Sequence, residues 1–214
     1  MVHPLAARIP EALLQSGEWW KDEDLPLPWD DLFPGGPIWV DVGFGQGEFL
    51  LGMACANPER RFVGLDRFRE GHRRMLRASR ETGAPNLTSL VGNAFVLLHL
   101  AFADSSLESV SVNFPDPWPK ARHAHNRLYQ TEFFAIAARK LTVGGTLYLA
   151  TDSRPNAEQA LAEIESVPAL QSTHLGRRWL EVSPHPIRTR YEEKWMAEGR
   201  PLHYMVFEKM KDEG

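Results

Sequence analysis

From Ile38 onward the chain alternates short apolar runs with longer stretches whose apolar residues recur every three or four positions. The runs Ile38–Val42, Arg61–Leu65, Leu87–Val91, Ser109–Phe114 and Thr146–Ala150 have the length and side-chain content of buried strands. Between them the pattern predicts helices over Glu48–Ala56, about 68–82, a short piece around Phe95–Leu100, then Gln130–Leu141 and Asn156–Glu165. Strands alternating with helices imply a mostly parallel sheet covered on both faces, an α/β fold. Gly144-Gly145 reads as the turn into the fifth strand. The tail adds Trp179–Val182 and a last strand, Leu202–Glu208. Residues 1–36 are irregular, with Trp19, Trp20, Trp29 and several prolines, and read as a cap on a domain spanning 37–214.

With 214 residues, 43% of them hydrophobic, the chain can build one domain with a substantial core. Its single cysteine, Cys55, excludes an intrachain disulfide, fits a reducing cytoplasm, and is expected to be a buried small residue of a helix. No apolar run approaches the ~20 residues of a membrane span, and the N-terminus lacks a signal-peptide pattern, so a cytoplasmic protein without a membrane partner is expected. No metal is expected either, and a monomer or a homodimer would both suit the chain. The net charge of −4 gives no global support for nucleic-acid binding, so the distribution of charge matters more. Acid gathers in Asp22, Glu23, Asp24, Asp30 and Asp31, and arginine in Arg67, Arg69, Arg73, Arg74, Arg77 and Arg80. Arg69, Arg73, Arg77 and Arg80 share one face at helical spacing, either a solvated face or a phosphate-binding stripe.

The candidate chemistry lies at the ends of the strands. Gly43, Gly45 and Gly47 form a turn between the first strand and first helix, where helix N–H groups can face a ligand. Asp41 ends that strand, placed to hold an ammonium or sulfonium charge. Asp66 ends the second, the position from which an acid accepts hydrogen bonds from both ribose hydroxyls. Asn93 follows the third, where it can pair with an adenine edge or cap a helix. After the fourth comes Asn113-Phe114-Pro115-Asp116-Pro117-Trp118-Pro119-Lys120. Its alternating prolines fix φ and favour extended neighbours, so the loop can hold a carboxylate, an aromatic ring and a cation with little entropy left to lose. Such a set suits a flat polar ring that must be aligned.

This loop with Arg122-His123, the Asp41–Gly47 turn, Gly64-Leu65-Asp66, Asn93-Ala94, Ala150-Thr151-Asp152 and Thr189-Arg190-Tyr191-Glu192 together resemble the bacterial tRNA (guanine-N7)-methyltransferases, in order from about Ile38 to Lys209. The resemblance implies a class I S-adenosylmethionine-dependent methyltransferase, Rossmann-like, mostly parallel with an antiparallel last strand. It implies S-adenosyl-L-methionine as donor and a guanosine of the tRNA variable loop as acceptor. By position, Asp41, Gly43, Gly45, Gly47, Asp66, Asn93 and Asp116 would hold the donor, with Asp116 also the catalytic, orienting residue. Lys120, Asp152, Thr189, Arg190, Tyr191 and Glu192 would meet the acceptor. Thr151 and Asp152 can instead cap a helix, Thr189 and Glu192 are spaced as a capping box, and Lys120 and Arg122 can be surface cations.

The chain departs from the family pattern in carrying Asp41 and Asp66 where glutamate is more usual, and Asn93 for an aspartate. Ala124-His125-Asn126 replace a basic run, and a basic N-terminal arm is missing. Other readings are an exocyclic-amine nucleic-acid methyltransferase, whose loop prolines would be adjacent, an RNA-binding protein with a decayed donor site, and a nicotinamide-dependent oxidoreductase, which gives no reason for the proline loop.

Overall fold

Strand β1 (Ile38–Val42) is buried at all five positions, a pattern that needs cover on both sheet faces. The computed structural model describes residues 25–33, 35–116, 118, 127–174 and 176–211. In it β1 is joined by β2 (Arg61–Asp66), β3 (Leu87–Val91), β4 (Leu107–Asn113), β5 (Leu141–Thr151), β6 (Leu170–Ser172) and β7 (His203–Lys209). They form a seven-stranded sheet in the order β3-β2-β1-β4-β5-β7-β6. Strands β1 to β5 pair in parallel, and β7 runs antiparallel to both β5 and β6. The order reverses between β1 and β4, so a crevice opens beyond their carboxyl ends, where open α/β sheets bind ligands.

The helices are α1 (Trp29–Leu32), α2 (Glu48–Ala56), α3 (Arg69–Thr82), α4 (Ala94–Leu100), α5 (Thr131–Lys140), α6 (Arg154–Ile164) and α7 (Arg190–Ala197). Alternate strand residues face opposite sides. Trp39 and Phe62 pack with Phe49, Leu50 and Met53 of α2 and Met75 of α3 on one face. Val40, Val63 and Val110 pack with Leu98 of α4, Phe133 and Phe134 of α5 and Ala157 of α6 on the other. The described part of the N-terminal segment joins this second layer: Trp29 stacks on Phe102 at 5.0 Å and its indole N–H donates to the Ala101 carbonyl at 2.8 Å. Arg61 holds the same segment through the Gly36 and Phe33 carbonyls and Asp30. The remainder of the expected cap lies outside the described residues.

Four expectations need correction. The fifth strand starts at Leu141, not Thr146, because Gly144-Gly145 do not end it. Its pairing with β4 jumps from Leu107↔Leu141 to Ser109↔Thr146, so the glycines belong to a bulge. Strand β6 was not expected, and helix α7 was foreshadowed only by the capping-box alternative for Thr189 and Glu192. Cys55 is exposed, on the side of α2 opposite Phe49, Leu50 and Met53. Among the described residues no helix is long and apolar enough to cross a membrane.

Candidate active site

A cleft of about 770 Å³ opens at the reversal point between β1 and β4. Three stretches far apart in sequence line it: Asp41–Gln46 with Asp66, Asn113–Asp116 with Trp118, and Thr189–Tyr191. Gly45 adopts φ 59°, in the left-handed region that glycine enters without steric cost. Its N–H donates to Asp66 Oδ2 at 2.9 Å, while the Phe68 N–H donates to Oδ1 at 3.0 Å. Asp66 thus fixes the glycine turn, and each oxygen keeps a further lone pair for a ligand hydroxyl. Gly47 precedes α2 against Met75 rather than in the cleft lining.

Asp41 is 2% exposed, yet it borders the cleft. The Ser111 hydroxyl donates to its Oδ1 at 2.7 Å and the Asn113 amide at 3.0 Å. The Trp39 indole N–H donates in turn to Ser111 Oγ at 2.9 Å. Burial pushes the Asp41 carboxyl up to about 7, against the opposing pull of these two hydrogen bonds. The supporting roles of Ser111 and Asn113 were not foreseen. A signal existed in Ser109-Val110-Ser111-Val112, since a polar side chain in a central parallel strand needs a partner.

The proline loop leaves β4 through Phe114 at φ 50°, and Trp118 sits at φ 40°. Left-handed backbone at a non-glycine residue costs on the order of 1 kcal/mol, so two such residues mark a loop held by its surroundings. The Arg127 Nε donates to the Trp118 carbonyl at 3.1 Å. Asp116 is exposed at the cleft. Lys120, Arg122 and His123 lie outside the described residues.

Other expected residues are placed differently. Asn93 caps α4, its side-chain oxygen accepting the Phe95 N–H at 3.0 Å, so an adenine amino group would have to share that oxygen. Asp152 faces Arg200 at 3.8 Å, whose guanidinium lies 3.7 Å over Trp195; the cap of α6 is Ser153. Thr189 and Glu192 form a capping box at the start of α7. Glu192 is 2% exposed and also accepts from Tyr204 Oη at 2.7 Å and Arg188 Nη1 at 2.6 Å. It holds α7, while Arg190 and Tyr191 project at the cleft rim and Arg190 meets Glu48 at 3.3 Å.

Helix α3 is pressed against the glycine turn at Gly71. A Cβ there would lie 1.9 Å from the Gly45 carbonyl oxygen. Gly71→Ala should therefore move the helix or the turn, costing about 1–3 kcal/mol of stability. Donor binding measured by calorimetry should weaken alongside the thermal midpoint; an unchanged midpoint would contradict the contact.

The sheet order and the glycine turn define a class I methyltransferase fold, shared with solved methyltransferases. A 16S rRNA methyltransferase, KamB, matches with a TM-score of 0.61 at 15% identity, over 83% of this chain and 89% of that one. The antibiotic-resistance methyltransferase Kmr matches with a TM-score of 0.58 at 18% identity, over 92% and 96%. The family model described as "Putative methyltransferase" matches residues 35–205. A tRNA (guanine-N(7)-)-methyltransferase of Roseobacter denitrificans is 34% identical over 204 residues, 95% of this chain and 85% of that protein. Its counterpart in Pseudomonas entomophila is 34% identical over 188 residues, 87% and 78%. The chain belongs to the tRNA (guanine-N(7)-)-methyltransferase family.

Proposed function

We propose that this protein transfers the methyl group of S-adenosyl-L-methionine to N7 of a guanosine in the variable loop of tRNA. The observation that carries the reading is the proline loop, with Asp116 and Trp118, lining one cleft with the glycine turn, Asp41 and Asp66. Asp41 takes the donor's ammonium, the glycine turn lies beneath the donor, and Asp66 takes the ribose hydroxyls. Guanine N7 has a free lone pair at neutral pH, so no base is needed. That pair attacks the methyl carbon, the carbon–sulfur bond breaks with its electrons going to sulfur, and the purine gains the positive charge. The protein's work is to hold nucleophile and methyl in line and to place a carboxylate where charge grows. Asp116 accepts hydrogen bonds from the guanine ring edge, Trp118 packs on the base, and Arg190 and Tyr191 hold the flanking RNA.

Incubating the full chain with labelled donor and unmodified bulk tRNA, then analysing the nucleosides, tests this directly. A 7-methylguanosine product is expected. A methyl on an exocyclic nitrogen, or none despite donor binding, would refute the assignment.

The position of Asp41 gives a pH prediction. The donor's ammonium pairs only with the ionised carboxylate, and burial raises that carboxyl to about 7. Below that pH a proton must leave for the donor to bind, so Kd should rise about tenfold per unit of falling pH and level off above it. Calorimetry from about pH 5.5 to 8.5 reads this, and Asp41→Asn should flatten the profile. A flat wild-type profile would remove Asp41 from the ammonium site.

A further inference from the structure

Helix α3 concentrates positive charge in a chain whose net charge is −4. Arg67, Arg69, Arg73, Arg74, Arg77 and Arg80 are all exposed, while Gly71, His72, Met75 and Ser79 face inward. A face held only for solubility would be expected to interleave both signs. Among the described residues Glu70 is the one acid paired with these arginines, at 3.2 Å from Arg74 and 3.9 Å from Arg73, and Glu81 lies exposed near the end of the helix. Arg67, Arg69, Arg77 and Arg80 meet no acid among the described residues. Every cation of the face is also an arginine, the side chain whose planar fork matches phosphate oxygens.

The helix is fixed to the donor turn rather than merely near it. Gly71 abuts the Gly45 carbonyl, the Phe68 N–H donates to Asp66, and Arg74 Nη1 donates to Gln46 Oε1 at 3.0 Å. Gln46 lines the cleft, and Glu48, two residues on, meets Arg190 of α7. The arginine face therefore starts at the cleft rim and runs away from it for roughly 21 Å, the length of fourteen helical residues. That spans several nucleotides of an RNA backbone.

We infer that the exposed arginine face of α3 is a docking surface for the phosphate backbone of the substrate RNA, sequence-independent and rigidly linked to the donor pocket. The inference rests on the proposed RNA substrate. Its role is to position: the arginines neutralise phosphates and release counterions, while the cleft recognises the base.

The test compares the full-length protein with two quadruple variants, Arg69→Gln/Arg73→Gln/Arg77→Gln/Arg80→Gln and the same four changed to lysine. Binding of unmodified tRNA is followed by anisotropy across a potassium chloride series. The glutamine variant should bind about 10–100-fold more weakly near physiological salt, with the slope of log K against log salt reduced by about 2–3. The lysine variant should retain most of the slope, because counterion release needs only the charge. Donor affinity should stay within about twofold of wild type in both, which also verifies that they fold. A glutamine variant matching the wild type in both tRNA affinity and slope would overturn the docking surface, while 7-methylguanosine formation by the wild type still stood. A wild type forming no 7-methylguanosine would instead overturn the function on which it rests.

Discussion

Replacing Asp116 by alanine is expected to lower turnover by about 10²–10³-fold while leaving donor affinity nearly unchanged. The size follows from what the carboxylate does. In the ground state guanine is neutral and its N–H edge is an ordinary donor. As N7 takes the methyl, positive charge spreads into the ring, and hydrogen bonds from that edge to a fixed anion strengthen. An interaction gained mainly in the transition state appears in kcat rather than in binding. The loop geometry supports this division, since Asp116 lies between two residues in left-handed backbone, Phe114 and Trp118, in a proline-rich loop that limits its freedom. Asp116→Asn, which keeps an acceptor but loses the charge, should fall between. Single-turnover methyl transfer and calorimetric donor titration are the two readouts. Equal losses in both would assign Asp116 to the donor rather than to the reacting base.

The largest stability effect is expected at Glu192. Its carboxylate is 2% exposed and serves three donors: the Arg188 guanidinium, the Tyr204 hydroxyl and the Thr189 N–H of the capping box. Glu192→Ala strands a partly buried cation and a buried hydroxyl and removes half of the cap. Breaking a buried pair from one side and losing a cap together amount to about 3–5 kcal/mol. For a chain of this size that is a fall of roughly 10 °C in thermal midpoint. Glu192→Gln keeps an acceptor for Tyr204 and should lose less than half as much. A midpoint within about 2 °C of wild type for the alanine variant would contradict the anchoring role. Because α7 presents Arg190 and Tyr191 to the cleft, KM for RNA should rise even at temperatures where the variant remains folded.

The elements that were legible in the sequence are those whose pattern has one physical cause. β1 is buried on both faces and α2 is apolar at nearly every position after Glu48, so their bounds follow from hydrophobicity alone. Helix α7 buries only Glu192, a charged residue, and leaves no apolar stripe to find. Its Thr189–Glu192 spacing was visible, but as a capping box it competed with a binding reading of the same residues. Strand β6 has three residues, of which only Leu170 is buried, too few for a period of two to register. Gly144 and Gly145 misled because glycine marks turns and bulges alike, and only strand pairing separates them.

The site divides in the same way. That Asp41, Asp66 and Asp116 would border a cleft could be read because strand ends and the loops after them gather at one edge of an α/β sheet. Ser111 and Asn113 could not be matched to Asp41 from spacing, since about seventy residues separate them and only the β1–β4 register brings them together.

That register makes position 41 part of a trio. Asp41 pairs across the sheet with Ser111, and Asn113 shares its Oδ1. Losing Asp41 takes from Ser111 and Asn113 the acceptor they share, while losing either donor leaves the buried carboxylate with one hydrogen bond where it had two. A glutamate introduced at 41 alone would carry its carboxylate beyond both donors, leaving the Ser111 hydroxyl with only the Trp39 indole and the Val40 carbonyl, the latter at 3.4 Å. Divergence at this site should therefore proceed in linked substitutions. Across relatives, the residue types at 41, 111 and 113 should covary, and a glutamate at 41 should coincide with changed donors on β4.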